Sequence, residues 1–380
     1  MAGSFRIGSI AGIDIFINVS WIIILVFLTY SLATGWFPAS YPGFSSTTYF
    51  LLGIISALLL FVSVLLHELA HSLVARSRGL PVRSIVLFIF GGVSNIEQEP
   101  KSPGTEFLMA FVGPLTSLLL GALAYVLALP LRGRGSPVEA VLTYLAVTNV
   151  LLGLFNLVPG FPLDGGRVLR SIIWKVTGKP QMATRIATFV GQVFAYLFIL
   201  WGILLFFNGA ILNGLLIIFT GWFLLNAAQT IRMQSTFEEA FRGVTVEQKM
   251  NTNMITVPAN ISLQRLVDEY FLPQGLRSAF VLRGDQLAGL ITLSDIRHVA
   301  RDQWPQTAVG MVMIPLERLH VATPQQNLSD VLPLMNGQDV NQLPAVQDGR
   351  LLGVLSRDAI LRSLAIQRSL GVSQNQRRAG

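Results

Sequence analysis

Long apolar stretches separated by short polar ones dominate the first 231 residues of the chain. Each stretch is close to the roughly 20 residues that a membrane-spanning helix requires. Six such stretches cover residues 15–34, 49–73, 107–130, 138–158, 186–207 and 210–230. The pattern predicts an α-helical polytopic membrane domain of about six spans, with both chain termini on the same side of the bilayer.

A different pattern, rich in β-branched and aromatic residues, occupies residues 82–97 between the second and third spans. Gly91 and Gly92 interrupt it, as the turn of a β-hairpin would. The run is too apolar for an ordinary solvated loop, so we expect a small membrane-associated hairpin or sheet. Its edge strand could bind an extended peptide, or the hairpin could only pack on the helices, and the residues leave both interpretations open.

The last third of the chain contains an internal repeat. Residues 289–292 and 353–356 have similar sequences at an offset of 64 residues. Each half alternates apolar runs and turn signals in the order strand, helix, strand, strand, helix, which predicts two soluble α/β modules packed as a pair. The predicted boundaries are 1–231 for the membrane domain, 232–246 for a linker, 247–303 and 304–370 for the two modules, and 371–380 for a flexible tail.

The composition agrees with this division. Only 12% of the 380 residues are charged, about half the share of about 25% in soluble proteins. Residues 1–231 contain 19 of the 47 charged residues, although they form most of the chain. The absence of cysteine excludes disulfides and thiolate metal sites. A net charge of +7 without a basic stripe of interleaved aromatics leads us to expect the lipid bilayer, and no nucleic acid, as a partner.

Basic residues predict the orientation of the spans. Arg6 precedes the first span, and the loops after the second and fourth spans contain most of the other basic residues of the membrane domain. The opposite side has Arg132 and Arg134. Because cytoplasmic loops carry an excess of Lys and Arg, we expect a multi-pass protein of the cell (inner or plasma) membrane with cytoplasmic N- and C-termini.

The second span ends in a His-Glu-x-x-His motif formed by His67, Glu68 and His71. Histidines four positions apart share one face of a helix, where two imidazoles can bind one zinc ion beside a glutamate that acts as general base. Ionisable residues inside a membrane helix are costly and indicate function. The alternative is that these side chains only face water where the helix leaves the bilayer.

A catalytic zinc site has three protein ligands and an open position for water, so a third ligand is required. His298 and His320 lie in the soluble part, which leaves a carboxylate of the membrane domain. The candidates are Asp14, Glu97, Glu99, Glu106, Glu139 and Asp164. Asp164 follows a proline-broken segment at the same membrane face as His71, and the pairing favours it as a ligand over the alternative of an ordinary Asp-Gly turn.

These residues predict metal-assisted peptide hydrolysis. Zinc lowers the pKa of bound water toward about 7, and Glu68 would accept the water proton and deliver it to the leaving amine. Asn156 could donate a hydrogen bond to the substrate or the developing oxyanion, or it could only join helices together as a buried polar group.

The His67–His71 motif, the Phe90-Gly91-Gly92 turn and residues 156–167 resemble the site-2 protease family of intramembrane zinc metalloproteases over roughly residues 5–231. The resemblance implies zinc binding by His67, His71 and Asp164, catalysis by Glu68, and a place for Asn156 in the active-site cleft. It also implies cleavage of membrane-anchored proteins within or near their transmembrane segment. In bacteria such substrates are often membrane-held transcription regulators.

The repeat resembles a pair of CBS domains, which often bind ATP or another adenine nucleotide and form homodimers. The ribose-contacting pattern of Thr or Ser followed three residues later by Asp is present at Thr292 and Asp295. In the second half Ser356 is present, but Ala359 replaces the expected Asp. The resemblance thus implies one complete nucleotide site; the alternative is a pair that only dimerises or docks.

Three functions compete on the sequence alone. An intramembrane zinc endopeptidase regulated by its CBS pair accounts for both the motifs and the repeat. A CBS-gated transporter or channel explains six spans and a nucleotide-sensing tail, but it gives His67, Glu68, His71 and Asp164 no role. A catalytically inactive scaffold has no reason to retain Glu68.

Overall fold

The computed structural model describes residues 3–89, 91–96, 98–241, 243–337 and 340–360. Contacts divide the chain into two compact units, with the boundary between Ser235 and Thr236. Phe90 of the predicted turn and the candidate ligand Glu97 lie outside the described residues, as do the end of the second predicted module and the predicted tail.

The first unit is a helical bundle that confirms the prediction of about six spans. Six helical segments among the described residues are long and apolar enough to cross a membrane. They are Ser20–Ser40, Ser46–Ser77, Pro103–Leu131, Pro137–Asn156, Pro180–Phe207 and Ile211–Met233.

The helices of this unit begin mostly at serine or proline, which are favourable at or next to a helix N-terminus. The side chains of Ser45, Ser102 and Ser136 each accept a hydrogen bond from a backbone N–H of the first turn. The helices are α1 (Ser20–Ser31), α2 (Phe37–Ser40), α3 (Ser46–Ser77), α4 (Pro103–Ala128), α5 (Pro137–Asn156), α6 (Asp164–Thr177), α7 (Pro180–Phe207) and α8 (Ile211–Phe241).

A four-stranded sheet accompanies the bundle. Its strands are β1 (Ser4–Ile10), β2 (Ile13–Asn18), β3 (Val82–Phe88) and β4 (Gly91–Ile96), in the order β1-β2-β3-β4. β2 and β3 are parallel, whereas the other two pairs are antiparallel. The predicted hairpin is therefore present as β3 and β4, but it is half of a larger sheet.

The N-terminal hairpin was not predicted, and the first span begins later than predicted, at Ser20. Residues 13–18 are apolar enough to extend the first span, yet they form β2, in which burial alternates. Ile13, Ile15 and Ile17 face the core, as the period of two in a half-buried strand requires. Pairing with β3, which the sequence could not reveal locally, decides between strand and helix here.

The second unit contains two α/β modules, as the repeat predicted. The first module has the sheet β5-β6-β7-β8 and the second has the antiparallel pair β9-β10. The strands are β5 (Thr256–Pro258), β6 (Ser278–Arg283), β7 (Gln286–Thr292), β8 (Ile314–Pro315), β9 (Gln342–Gln347) and β10 (Arg350–Ser356). The helices are α9 (Leu263–Leu266), α10 (Leu272–Gln274), α11 (Leu293–Arg297), α12 (Val309–Val312) and α13 (Leu328–Gly337).

Each module buries its own apolar core, and a third cluster joins the two. This cluster contains Phe280 and Leu287 from the first module and Val354 from the second. The Leu287 N–H donates to the Gly349 carbonyl across the same junction, at 2.9 Å. The modules therefore pack directly on each other within the second unit.

The segment that was predicted as a linker, residues 232–246, differs from the structure. α8 continues to Phe241, and Val244 and Val246 are buried in the core of the second module with Leu328. Because this segment is polar overall, its sequence did not reveal the end of α8 or the two buried valines that follow it.

Candidate metal centre and its surroundings

α3 places His67 and His71 on one buried face of the first unit. The helix is continuous through the motif, so the two imidazoles lie one turn apart, with ring centroids 4.8 Å from each other. Their exposed fractions are only 4% and 8%. The expectation of two histidines on one helix face is met, and both side chains point into the bundle rather than toward solvent.

An irregular segment between two helices brings Asp164 close to these two histidines. α5 ends at Asn156, and α6 begins at Asp164 after an irregular segment. Asp164 Oδ2 lies 3.1 Å from His67 Nε2 and 3.1 Å from His71 Nε2. A Cβ on Gly166 would overlap the backbone of Gly160, so glycine lets α6 start close against the preceding segment.

The three atoms match the requirements of a tetrahedral metal ion. One ligand atom from each of His67, His71 and Asp164 lies within 4.8 Å of the others. An ion with bonds of about 2 Å separates its ligand atoms by about 3.3 Å, close to the nitrogen–oxygen distances here. Two neutral nitrogens and one carboxylate oxygen are also ligands that zinc prefers.

Helix α4 orients both imidazoles through contacts with their Nδ1 atoms. His71 Nδ1 lies 2.5 Å from the carbonyl oxygen of Met109, and His67 Nδ1 lies 2.9 Å from Ser117 Oγ. A carbonyl oxygen only accepts, so His71 Nδ1 carries the proton and Nε2 keeps its lone pair for a metal. Partners of this kind hold a metal-binding histidine in the correct tautomer and orientation.

Gly113, between these two positions on α4, leaves room beside the Nε2 atoms of both imidazoles. A Cβ at this position would lie within 3.0 Å of His71 Nε2 and His67 Nε2. Such distances are far inside van der Waals contact, so the absent side chain leaves the ligand atoms accessible to an ion.

The electrostatics of Asp164 suit a ligand. Burial raises the pKa of its carboxyl, but the adjacent His71 and His67 lower it by more, so the net pKa lies well below its ordinary range. Asp164 is therefore an anion at neutral pH, as a metal ligand must be, and a proton held on either Nε2 in the metal-free protein is released when a metal binds.

Glu68 projects from the same turn of α3 and is held by the sheet. Ser94 Oγ, on β4, donates to Glu68 Oε2 at 2.8 Å, and Ser72 Oγ donates to Ser94 Oγ at 3.0 Å. A Cβ on Gly92 would overlap the side chain of Glu68. The β3–β4 hairpin therefore packs against this carboxylate and fixes its orientation.

These groups line one cavity of about 290 Å³. His67, Glu68, His71 and Asp164 share it with Asn156, Arg167 and the β4 residues Gly91–Ser94. In this structure the Asn156 side-chain amide donates to the Leu152 carbonyl of its own helix, at 3.1 Å. Asn156 thus faces the cavity while its amide is bonded locally.

The other acids that were considered as third ligands lie elsewhere, as far as the described residues show. Asp14 pairs with Arg6, and both Glu99 and Glu106 pair with Arg170. The carboxylate of Glu139 accepts hydrogen bonds from the backbone N–H groups of the turn at Gly133–Gly135. Among the described candidates, Asp164 alone joins the two histidines.

Comparison with known proteins agrees with this geometry. The sequence profile of peptidase family M50 matches residues 55–136 and 134–200, and the CBS-domain profile matches residues 245–302 and 309–366. A protein of Synechocystis sp. that bears the name "putative zinc metalloprotease" is 36% identical over 371 residues, which cover 96% of each chain. The chain belongs to peptidase family M50.

Further relatives of this M50 protein include zinc metalloprotease Rip3 of Mycobacterium tuberculosis, also named as putative. It is 35% identical over 373 residues, or 97% of this chain and 94% of the relative. A solved site-2 protease from Methanocaldococcus jannaschii is 31% identical, with a TM-score of 0.41, over 60% of this chain and 94% of that one. By its family, its relatives and its six apolar helices, the chain is a multi-pass zinc metalloprotease with two CBS domains.

The CBS domains of the M50 protein differ at their candidate nucleotide residues. In the first, Thr292 and Asp295 form a capping box at the start of α11: Thr292 Oγ1 donates to Asp295 Oδ2 at 2.6 Å, and the Asp295 backbone N–H donates back to Thr292 Oγ1. In the second, Ser356 Oγ accepts from the Ala359 backbone N–H at 3.2 Å, and no carboxylate among the described residues bonds to it. The asymmetry seen in the sequence is therefore also present in the structure.

The residues that support the site were not predicted from the sequence of this M50 protein. Met109, Gly113 and Ser117 recur every four positions along one face of α4, and Ser94 lies two positions after the hairpin turn. The spacing of four was a visible signal of a common face. Arg167, three positions after Asp164, adds a positive charge to the cavity; it ends the motif of residues 156–167, but the sequence predicted no role for it in the site.

Proposed function

We propose that this protein is an intramembrane zinc endopeptidase that cuts membrane-anchored proteins within or near their transmembrane segment. In this proposal His67, His71 and Asp164 bind the zinc ion, and Glu68 is the catalytic base. The observation that carries the proposal is the convergence of two imidazole nitrogens and one carboxylate oxygen in a cavity that Glu68 also lines.

The residues of the chain divide the work of peptide hydrolysis. Zinc, when bound, supplies a Lewis acid that lowers the pKa of water toward about 7 and polarises a carbonyl. Glu68, oriented by Ser94, accepts a proton from the attacking water and delivers it to the leaving nitrogen. The Asn156 amide and the Arg167 guanidinium are donors in the cavity that can hold the substrate carbonyl or its developing oxyanion.

The substrate would bind in an extended form beside the hairpin. β4 pairs with β3 on one side and ends the sheet, so its other edge offers backbone groups to an added strand. A helical substrate hides its peptide bonds in its own hydrogen bonds, and local unwinding onto this edge would expose them. Membrane-held regulators of transcription are a substrate class that fits this proposal.

Metal content tests the ligand set. We expect about one zinc per chain in the purified wild type, and loss of that zinc in both His67→Ala and Asp164→Ala, because a site reduced to two protein ligands binds zinc weakly. His320→Ala, in the second unit, is the control and should keep its zinc. Zinc retained in Asp164→Ala would refute the assignment of the third ligand, and a folded wild type without zinc would refute the function.

We also propose that the first CBS domain binds an adenine nucleotide, such as ATP, that regulates proteolysis. Thr292 and Asp295 match the ribose-contacting pattern. We expect Asp295→Asn to weaken ATP binding to the purified protein by about 10-fold or more, since the loss of a hydrogen bond to a charged group costs about 1.5–3 kcal/mol. The control is Asp358→Asn in the second domain, and equal weakening by both variants would contradict a single site.

The orientation follows from the basic loops: we propose that both termini are cytoplasmic. The chain has no cysteine, so single cysteines can be introduced at Lys101 and Gly133 and labelled in intact cells. A membrane-impermeant reagent should reach the cysteine at 133 and not the one at 101. The reverse result would invert the topology. Homodimerisation through the CBS pair stays a prediction that crosslinking in native membranes can refute.

A further inference from the structure

A buried ion pair joins α6 to α4 next to the metal centre. Arg170 Nη1 lies 2.9 Å from Glu106 Oε1, and Arg170 Nη2 lies 2.9 Å from Glu99 Oε2. The side chain of Glu106 is 1% exposed and that of Arg170 is 13% exposed, whereas that of Glu99 is 61% exposed. The contact with Glu106 is therefore the buried one, and the contact with Glu99 lies at its solvent-facing rim.

Both ends of the buried pair belong to elements that hold the candidate ligands. Arg170 lies six residues after Asp164 on α6, about 9 Å along the helix axis. Glu106 precedes Met109 by three residues on α4, so both face the same way. The Met109 backbone carbonyl accepts a hydrogen bond from His71 Nδ1–H. α4 thus contacts the α3 histidine directly and, through Arg170, the helix that bears Asp164.

α6 is not held in place by crossing the bilayer. This helix has 14 residues and is not among the segments long and apolar enough to cross a membrane. Its place beside the metal centre depends on the helices against which it packs, α4 and α7. A charged hydrogen bond is directional, so it can set the rotation and height of α6 more narrowly than apolar packing does.

Stabilisation of the fold does not by itself explain this ion pair. Glu106 Oε2 and Arg170 Nε are buried and have no hydrogen-bond partner among the described residues. Buried ion pairs often contribute less stability than apolar residues of similar volume, because desolvation offsets the attraction. A pair with two unmatched polar atoms is an even less favourable source of stability, which favours a role in geometry.

We propose that the Arg170–Glu106 ion pair positions Asp164 for metal binding, with α4 as the common support that sets the distance between the α3 and α6 ligands. This inference rests on the proposed function, since it takes Asp164 as a ligand. Arg170 is a positioning residue here: it acts on the metal through α6 and does not contact it.

The test measures metal binding rather than proteolysis. Purified Arg170→Met, Glu106→Leu and the double variant are compared with the wild type for zinc affinity, by competition with a chelator, and for the visible spectrum of the Co²⁺-substituted protein. Loss of support around a metal ligand typically lowers metal affinity about 10- to 100-fold. We expect a loss of this size in Arg170→Met, with a Co²⁺ spectrum shifted away from that of the wild type.

The double variant separates positioning from stability. Replacing both members by apolar residues removes the unpaired charge, so the unfolding temperature of the metal-free protein should return toward that of the wild type. The directional bond is still missing, so zinc affinity should stay low. Wild-type zinc affinity and an unchanged Co²⁺ spectrum in the double variant would overturn the proposal, because the pair would then only compensate for its own burial.

Three further variants complete the design. Glu99→Gln removes the exposed partner and should change zinc affinity less than about 3-fold, since exposed ion pairs contribute little. Arg170→Lys keeps a positive charge for Glu106, and it provides the test if the variants that contain methionine do not fold. Its loss of zinc affinity should lie between those of the wild type and Arg170→Met. Wild-type zinc affinity in Arg170→Lys would overturn the proposal. Asp164→Asn separates the two proposals, because retained affinity there refutes the ligand assignment itself.

Discussion

Glu68→Gln is expected to lower the rate of proteolysis by about 10²- to 10⁴-fold, the usual contribution of a general acid–base group. Glutamine has nearly the same size and can still accept a hydrogen bond from Ser94, but it cannot take the proton of water. The zinc ligands are untouched, so the metal content should stay at the wild-type level. The measurement is the cleavage rate of a membrane-anchored reporter with purified enzyme, beside metal analysis of the same sample.

The comparison variant for Glu68 is Glu99→Gln, an equal change of charge at an exposed carboxylate outside the cavity. It should cleave the reporter at the wild-type rate. Cleavage by Glu68→Gln at a rate close to that of the wild type would remove Glu68 from the mechanism. A wild type that transports a solute but cleaves nothing would support a CBS-gated transporter, which was the competing interpretation of six spans and a nucleotide-sensing tail.

Gly113→Ala is expected to weaken metal binding strongly by adding one methyl group. The Cβ would lie within 3.0 Å of His71 Nε2 and His67 Nε2, so the imidazoles must move apart or lose access to the ion. Cores are packed too densely for such shifts to be free. We expect zinc affinity to fall by about 100-fold or more, at or beyond the upper end of effects caused by residues around a metal site.

The matched control for Gly113 lies on the same helix. A Cβ on Gly104, in the first turn of α4, would meet nothing within 4 Å, so Gly104→Ala should keep wild-type zinc affinity. It should also stabilise α4 slightly, because alanine is the better helix former by about 0.8–1.0 kcal/mol. Wild-type zinc affinity in Gly113→Ala would mean that the ligand atoms do not face this glycine in the metal-bound protein.

Chain-local features were predictable because they depend on neighbours in sequence. The six apolar stretches predicted the six helices, and the spacing of His67 and His71 predicted their common face. The β3–β4 hairpin and the two-module second unit also followed from short periodic patterns. Where a local pattern was ambiguous, the prediction differed from the structure: residues 13–18 extend an apolar run but form β2, and α8 extends into a segment polar enough to resemble a linker.

The assembly of the metal centre depended on the tertiary structure. The sequence by itself determined the type of chemistry, through a His-Glu-x-x-His motif inside an apolar helix, and offered Asp164 as one of several acids. Asp164 lies 97 positions from His67, and only the packing of α6 against α4 brings the two within 3.1 Å. The contacts of Ser94, Gly113 and Arg170 around this centre are equally long-range.

The physical reason is the same in each case. Secondary structure and membrane insertion follow from hydrogen bonding and burial along a short stretch of chain, so composition and periodicity reveal them. The orientation of a side chain toward a metal follows from close packing between distant segments, where a missing methyl group or one buried ion pair decides the geometry. The sequence therefore determined the class of reaction, and the tertiary structure decided which residues meet at the candidate metal centre.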